Sequence, residues 1–117
     1  MARILIIGGT GFIGSRVTVQ LLDAGHEIAL LHRGKKPFGK NPRRVSEILG
    51  DRHDLAASGL AITKFQPEVI VDTVLSSGRQ ASELAKLVNA LGVRLIALSS
   101  IHVSAMATLA WVVGGYP

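Results

Sequence analysis

The chain contains no cysteine. That absence excludes disulfides, thiolate catalysis and cysteine-ligated zinc. Acid is also scarce: eight Asp and Glu face thirteen Lys and Arg, a formal net charge of +5 at pH 7. Such a balance suits an anionic ligand but does not separate a nucleotide from a nucleic acid. Charged residues make up 18% and hydrophobic residues 48%, which excludes a disordered chain. With 117 residues there is room for one domain with a core and not for two. No signal-peptide layout opens the chain, because Met1-Ala2-Arg3 leads straight into an apolar run; a cytoplasmic location is the expectation. His53 has no second histidine or carboxylate placed for a metal, so it reads as a surface residue and no metal site is expected.

What the chain does have is concentrated near its start. Ile4-Leu5-Ile6-Ile7 is an unbroken apolar run followed by glycine, the pattern of a strand buried on both faces of a parallel sheet. Glycines recur at Gly8, Gly11 and Gly14. Beyond them Ile13, Val17 and Leu21, with Leu22 alongside, repeat at helical spacing, and Gly25 stops the helix. Strand, glycine turn and helix together form the geometry that binds a pyrophosphate. Gly8 allows the tight turn, Gly11 leaves space for the phosphates, and Gly14 lets helix and strand approach. The N–H groups of the first helical turn and the positive end of the helix dipole attract the anion. The spacing is G-x-x-G-x-x-G rather than G-x-G-x-x-G.

Gly8-Gly9-Thr10-Gly11-Phe12-Ile13-Gly14 resembles the N-terminal fingerprint of the extended short-chain dehydrogenase/reductases, the NAD-dependent epimerase/dehydratase family. The resemblance implies a Rossmann fold and NAD(H) or NADP(H) bound at Gly8, Thr10, Gly11, Phe12, Ile13 and Gly14.

Glu27 to His32 reads as a second strand. In a dinucleotide fold an acid at its end bonds the ribose of NAD, whereas a base accommodates the 2′-phosphate of NADP. No acid lies between Glu27 and Glu47, and the strand runs into His32-Arg33-Gly34-Lys35-Lys36. Arg33 can grip a phosphate bidentately, so NADP is the expected cofactor, with NAD as the alternative. Residues 33–44 carry six basic residues and one aromatic, Phe38; they form either a surface loop at the adenosine end or a contact for RNA. Val45 to Gly50 reads as strand three, leading into Asp51-Arg52-His53-Asp54. That segment resembles the family's adenine-contacting stretch, which implies cofactor contacts at Asp51 and Arg52. Asp54 is placed to cap the following helix, residues 55–65, weakened by Gly59 and ended by Pro67. Strand four covers 68–74. Asp72, near its end, is either a buried carboxylate bonded to backbone amides or part of the ligand edge, and the loop from Leu75 and Ser76 to Gly78 faces the cofactor. A helix over 79–91 and a fifth strand over 93–98 follow. Alternation of strands and helices demands an α/β fold, a doubly wound parallel sheet of about five strands in the order 3-2-1-4-5.

Ser99-Ser100-Ile101-His102-Val103 resembles the family's strand-five signature, which implies that Ser100 helps hold the substrate's carbonyl or hydroxyl. The family's proton-transfer pair, Tyr-x-x-x-Lys, is absent: the single tyrosine is Tyr116, and no lysine follows it. Residues 101–117 are almost uncharged, and Met106, Leu109, Val112 and Val113 suit a buried helix. A fragment of a longer enzyme, a homodimer through this tail, or a frayed end would each account for it; serines and glycines argue against a membrane span. Residues 1–117 are therefore expected to be an NAD(P)-binding domain of an oxidoreductase, epimerase or dehydratase, inactive alone and acting on a substrate that cannot be named from it. The alternative is a non-catalytic RNA- or nucleotide-binding relative that uses loop 33–44.

Overall fold

The computed structural model describes residues 1–9, 11–34, 45–51, 54–73, 78–100 and 108–114. Strand β1 (Arg3–Ile7) leads into helix α1 (Phe12–Asp23), then β2 (Glu27–His32) and β3 (Val45–Leu49). A 3-10 turn (Leu55–Ser58) runs into α2 (Gly59–Phe65), followed by β4 (Val69–Asp72), α3 (Gly78–Leu91), β5 (Arg94–Ser100) and β6 (Thr108–Gly114). The sheet order is β3-β2-β1-β4-β5-β6. The first five strands pair in parallel, which is the expected 3-2-1-4-5 arrangement.

The apolar run of β1 is unbroken because both faces of the strand are covered. Leu5 and Ile7 join a cluster with Ala29, Leu31, Ile48, Leu55, Ile62, Leu84 and Val88, beneath α2 and α3. Ile4 and Ile6 join Ile28, Leu30 and Val71 on the other face, covered by Val17, Leu21 and Leu22 of α1. α1 ends where Gly25 N–H donates to Leu22 O (2.9 Å) and His26 N–H to Leu21 O (3.1 Å), the paired bonds of a Schellman motif.

Four expectations need correction. The tail does not form a helix over 108–114: it pairs antiparallel with β5, Ile96 opposite Val112 and Ala97 opposite Trp111. Trp111, Val112 and Val113 favour extended chain, and an antiparallel return needs only a short connection. Ile13 does not belong to the buried apolar stripe of α1: at the helix start it is 48% exposed. Asp54 occupies the N-cap position of the 3-10 turn, yet its side chain makes no cap bond. The helix expected over 55–65 divides at Ser58, a 3-10 turn before it and α-helix after, and Gln66 closes it in the left-handed conformation (φ 55°) ahead of Pro67.

Candidate dinucleotide-binding site

The C-terminal ends of β1, β2, β4 and β5 lie along one edge of the sheet, and α1 begins there. Gly8 leaves β1 with φ +84°, a conformation that only glycine adopts without strain. Its carbonyl oxygen is the hub of the turn. It accepts the Gly11 N–H at 3.0 Å, and the Thr73 hydroxyl, just past β4, lies 3.2 Å away. Thr73 also bonds Ile7 O through its N–H (3.0 Å) and its hydroxyl (2.9 Å), tying the exit of β4 to that of β1.

Gly11 is the N-cap of α1, with φ −77° and ψ −177°, and makes no side-chain cap bond. No acid stands in its first turn. The N–H groups of Phe12, Ile13 and Gly14 have no carbonyl partner inside the helix, which makes this helix start a position suited to an anion. Among the described residues other than its chain neighbours, a Cβ on Gly11 would meet Gly8 O alone, at 3.4 Å. Gly14 is different. A Cβ there would overlap the Gly8 carbonyl oxygen and lie 2.7 Å from Gly8 C and 3.0 Å from Gly9 Cα. Gly14 is required for packing of helix on strand, as the spacing suggested.

Two further residues, Gly9 in the turn and Thr18 on α1, support the turn. Gly9 is buried, and a Cβ on it would press on Leu30, Thr18 Oγ1 (3.0 Å) and Ile6 Cγ2 (3.3 Å). Thr18, fully buried on α1, places its hydroxyl 2.8 Å from Gly14 O and 3.3 Å from Gly9 O. A threonine inside an apolar stripe is the one available signal, since a buried hydroxyl must find a partner.

Arg33 follows β2 and is exposed, making no ion pair among the described residues. Its neighbours are fixed. His32 Nε2 lies 2.7 Å from Glu47 Oε1 on β3, and Gly34 N–H donates to His32 Nδ1 at 2.8 Å. Gly50 N–H donates to His32 O at 2.9 Å, which brings Asp51 to the same edge as Arg33. Asp51 is half-buried and bridges to Asp54. Glu47 is the acid that a linear reading of the β2–β3 segment places out of reach, and the sheet brings it back beside His32.

Asp72 is fully buried at the end of β4, opposite Ile7 of β1 and Ala97 of β5. Ser100 is the last residue of β5, on the same edge. The expected contacts at Thr10, Arg52, Leu75 and Ser76, and the basic residues 35–44, lie outside the described residues, as does any description of the Phe12 side chain. A cavity of about 380 Å³ between the 3-10 turn and α3, lined by Asp54, Leu55, Ala56, Glu83, Lys86 and Leu87, involves none of the glycine-turn residues. Among the described residues no helix is long and apolar enough to cross a membrane, and no three His, Asp or Glu form a metal-binding group.

A parallel 3-2-1-4-5 arrangement with a glycine turn feeding an uncapped helix at its central switch point defines a dinucleotide-binding Rossmann domain. The model of the NAD dependent epimerase/dehydratase family matches residues 4–106. The chain belongs to that family. Chloroplast stem-loop binding protein of 41 kDa b from Arabidopsis thaliana is 32% identical over 103 residues, covering 76% of this chain and 26% of the relative. A 3-beta-hydroxysteroid dehydrogenase from Mycolicibacterium neoaurum is 32% identical over 91 residues, covering 70% and 25%. The chain thus spans about a quarter of these curated relatives. Among solved structures, the Bordetella bronchiseptica enzyme WbmG in complex with NAD superposes with a TM-score of 0.70 at 24% identity, over 82% of this chain and 36% of that one. The UDP-glucose 4-epimerase of Thermus thermophilus in complex with NAD gives 0.67 at 23%, over 78% and 35%. At these identities the two structures show the fold alone.

Proposed function

We propose that residues 1–117 are the cofactor-binding unit of an NADP(H)-using oxidoreductase, epimerase or dehydratase. The observation that carries this is the start of α1 on Gly11, an N-cap without a side chain, where among the described residues other than the chain neighbours a Cβ would meet Gly8 O alone. The N–H groups of the first helical turn hold the diphosphate, and Gly8 and Thr73 keep the turn in place. Arg33 binds the 2′-phosphate as a fork of donors, and Asp51 takes the adenine end. Bound there, the nicotinamide supplies hydride donation and acceptance. Ser100, at the end of β5, holds the substrate oxygen. Without a Tyr-x-x-x-Lys pair these 117 residues bind cofactor and turn nothing over.

Titration of the purified chain with NADPH and NADH tests this reading. NADPH should bind the more tightly, and Arg33→Ala should remove most of that preference, about tenfold or more, as expected for one lost charge-assisted contact. An equal or stronger affinity for NADH in the unaltered protein would refute the assignment of Arg33. The family match favours this reading over RNA binding, whose basic loop lies outside the described residues. A stem-loop RNA that bound more tightly than either dinucleotide would reverse that order.

A further inference from the structure

His32 and Glu47 are absorbed by no part of the function proposed above, yet they form the best-defined polar cluster at the adenosine end. The His32 side chain is 8% exposed. Both of its ring nitrogens are engaged, Nδ1 by Gly34 N–H at 2.8 Å and Nε2 by Glu47 at 2.7 Å. A backbone N–H can only donate, so Nδ1 must accept, and the ring proton sits on Nε2, where it donates to the Glu47 carboxylate. The ring is a neutral imidazole in one tautomer, oriented by Glu47. Gly34 has φ +89°, so the turn folds back on the ring in a conformation that most residues resist. His32 O is also held, by Gly50 N–H at 2.9 Å.

Arg33 is thereby bracketed. The residue before it is tied through its ring to β3 and through its carbonyl to the chain leaving β3. The residue after it is tied to that same ring. Arg33 itself is exposed. A guanidinium needs a fixed base to present its donors as a fork, because ordering a free loop on binding costs affinity.

We propose that His32 and Glu47 are positioning residues for cofactor selection: the Glu47-oriented imidazole pins the Arg33–Gly34 turn so that Arg33 meets the 2′-phosphate of NADP. This rests on the reading of Arg33 given above. The pair touches no reacting atom and acts only through the turn.

Two substitutions separate the two nitrogens. His32→Asn keeps an acceptor near the place of Nδ1 for Gly34 N–H, an Asx-type turn; His32→Gln keeps a donor near that of Nε2 but loses the bond to Gly34. NADPH and NADH affinities are measured for both, for Glu47→Ala and for Arg33→Ala, with thermal melting of each. The NADPH-to-NADH affinity ratio should stay within about twofold in His32→Asn, whose short side chain holds Gly34 N–H without Glu47, and fall about fivefold or more in His32→Gln, which loses that bond, and in Glu47→Ala, where the ring loses the partner that fixes its tautomer and can turn from Gly34, through the NADPH term alone. A ratio in His32→Gln equal to that of the unaltered protein would overturn the proposal. So would equal losses for both cofactors, which is how a merely structural pair behaves. Nitrogen-15 NMR of the histidine rings should show His32 protonated on Nε2 alone at neutral pH; a proton on Nδ1 would also overturn it. If instead Arg33→Ala leaves the ratio untouched, the Arg33 assignment has failed, and the NMR result still tells whether the bracket exists.

Discussion

Gly14→Ala should unfold the domain at a markedly lower temperature, although alanine is the better helix former. The added Cβ would overlap the Gly8 carbonyl oxygen and lie 2.7 Å from the carbon behind it. No side chain can rotate away, because both atoms are backbone. Nor can Gly8 shift freely: its carbonyl accepts Gly11 N–H, the Thr73 hydroxyl lies 3.2 Å from it, and its φ of +84° sets the turn. Helix α1 must therefore lift from β1, opening contacts of Val17, Leu21 and Leu22 with the core. Forcing a methyl into such a site costs about 1–3 kcal/mol or more, against about 1 kcal/mol gained in helix propensity. A net loss of about 2 kcal/mol would lower the melting temperature of a domain this size by about 8 °C. Differential scanning calorimetry, beside Gly11→Ala as a control that meets only Gly8 O at 3.4 Å, reads the difference. A Gly14→Ala domain as stable as the control would refute the close approach of helix and strand.

Two further substitutions probe the supports of the turn. Thr73→Val removes the hydroxyl near Ile7 O and Gly8 O while keeping the shape, and should cost about 1 kcal/mol of stability and also weaken cofactor binding, read by chemical denaturation and by NADPH titration. Unchanged binding would show that the turn holds without β4. Thr18→Val strips the buried hydroxyl from Gly14 O and Gly9 O and should cost about 1 kcal/mol, lowering the melting temperature by about 4 °C; no change would mean that water or the helix satisfies those carbonyls.

Much of this site is local in the chain, and those parts are legible in the sequence. The β1 run, the three glycines and the Gly25 stop lie within 22 residues, Ile4 to Gly25, each acting on its near neighbours. Parallel pairing followed from alternation of strands and helices, and from an apolar run too long for a strand with a wet face. What escaped notice depends on distant partners. Glu47 meets His32 only because β3 lies beside β2, so a count of acids along the chain misses it. Gly9 is glycine because of Leu30 and Thr18, neither of them adjacent in sequence. Ile13 fits the helical spacing of Val17 and Leu21, yet at the first turn of α1 it is left 48% exposed. The tail has spacing compatible with a helix, and pairing with β5 overrides it, as strand context commonly does for Val and Trp.

The central claim is that backbone amides at the start of α1 hold a diphosphate in the space over Gly11. Isothermal titration of NADPH into Gly11→Val and into the unaltered domain, with melting curves of both, tests it most directly. The account predicts a folded variant whose affinity has fallen about a hundredfold or more, since a branched side chain displaces the anion from more than one charge-assisted bond. An unchanged affinity in that folded variant would contradict it.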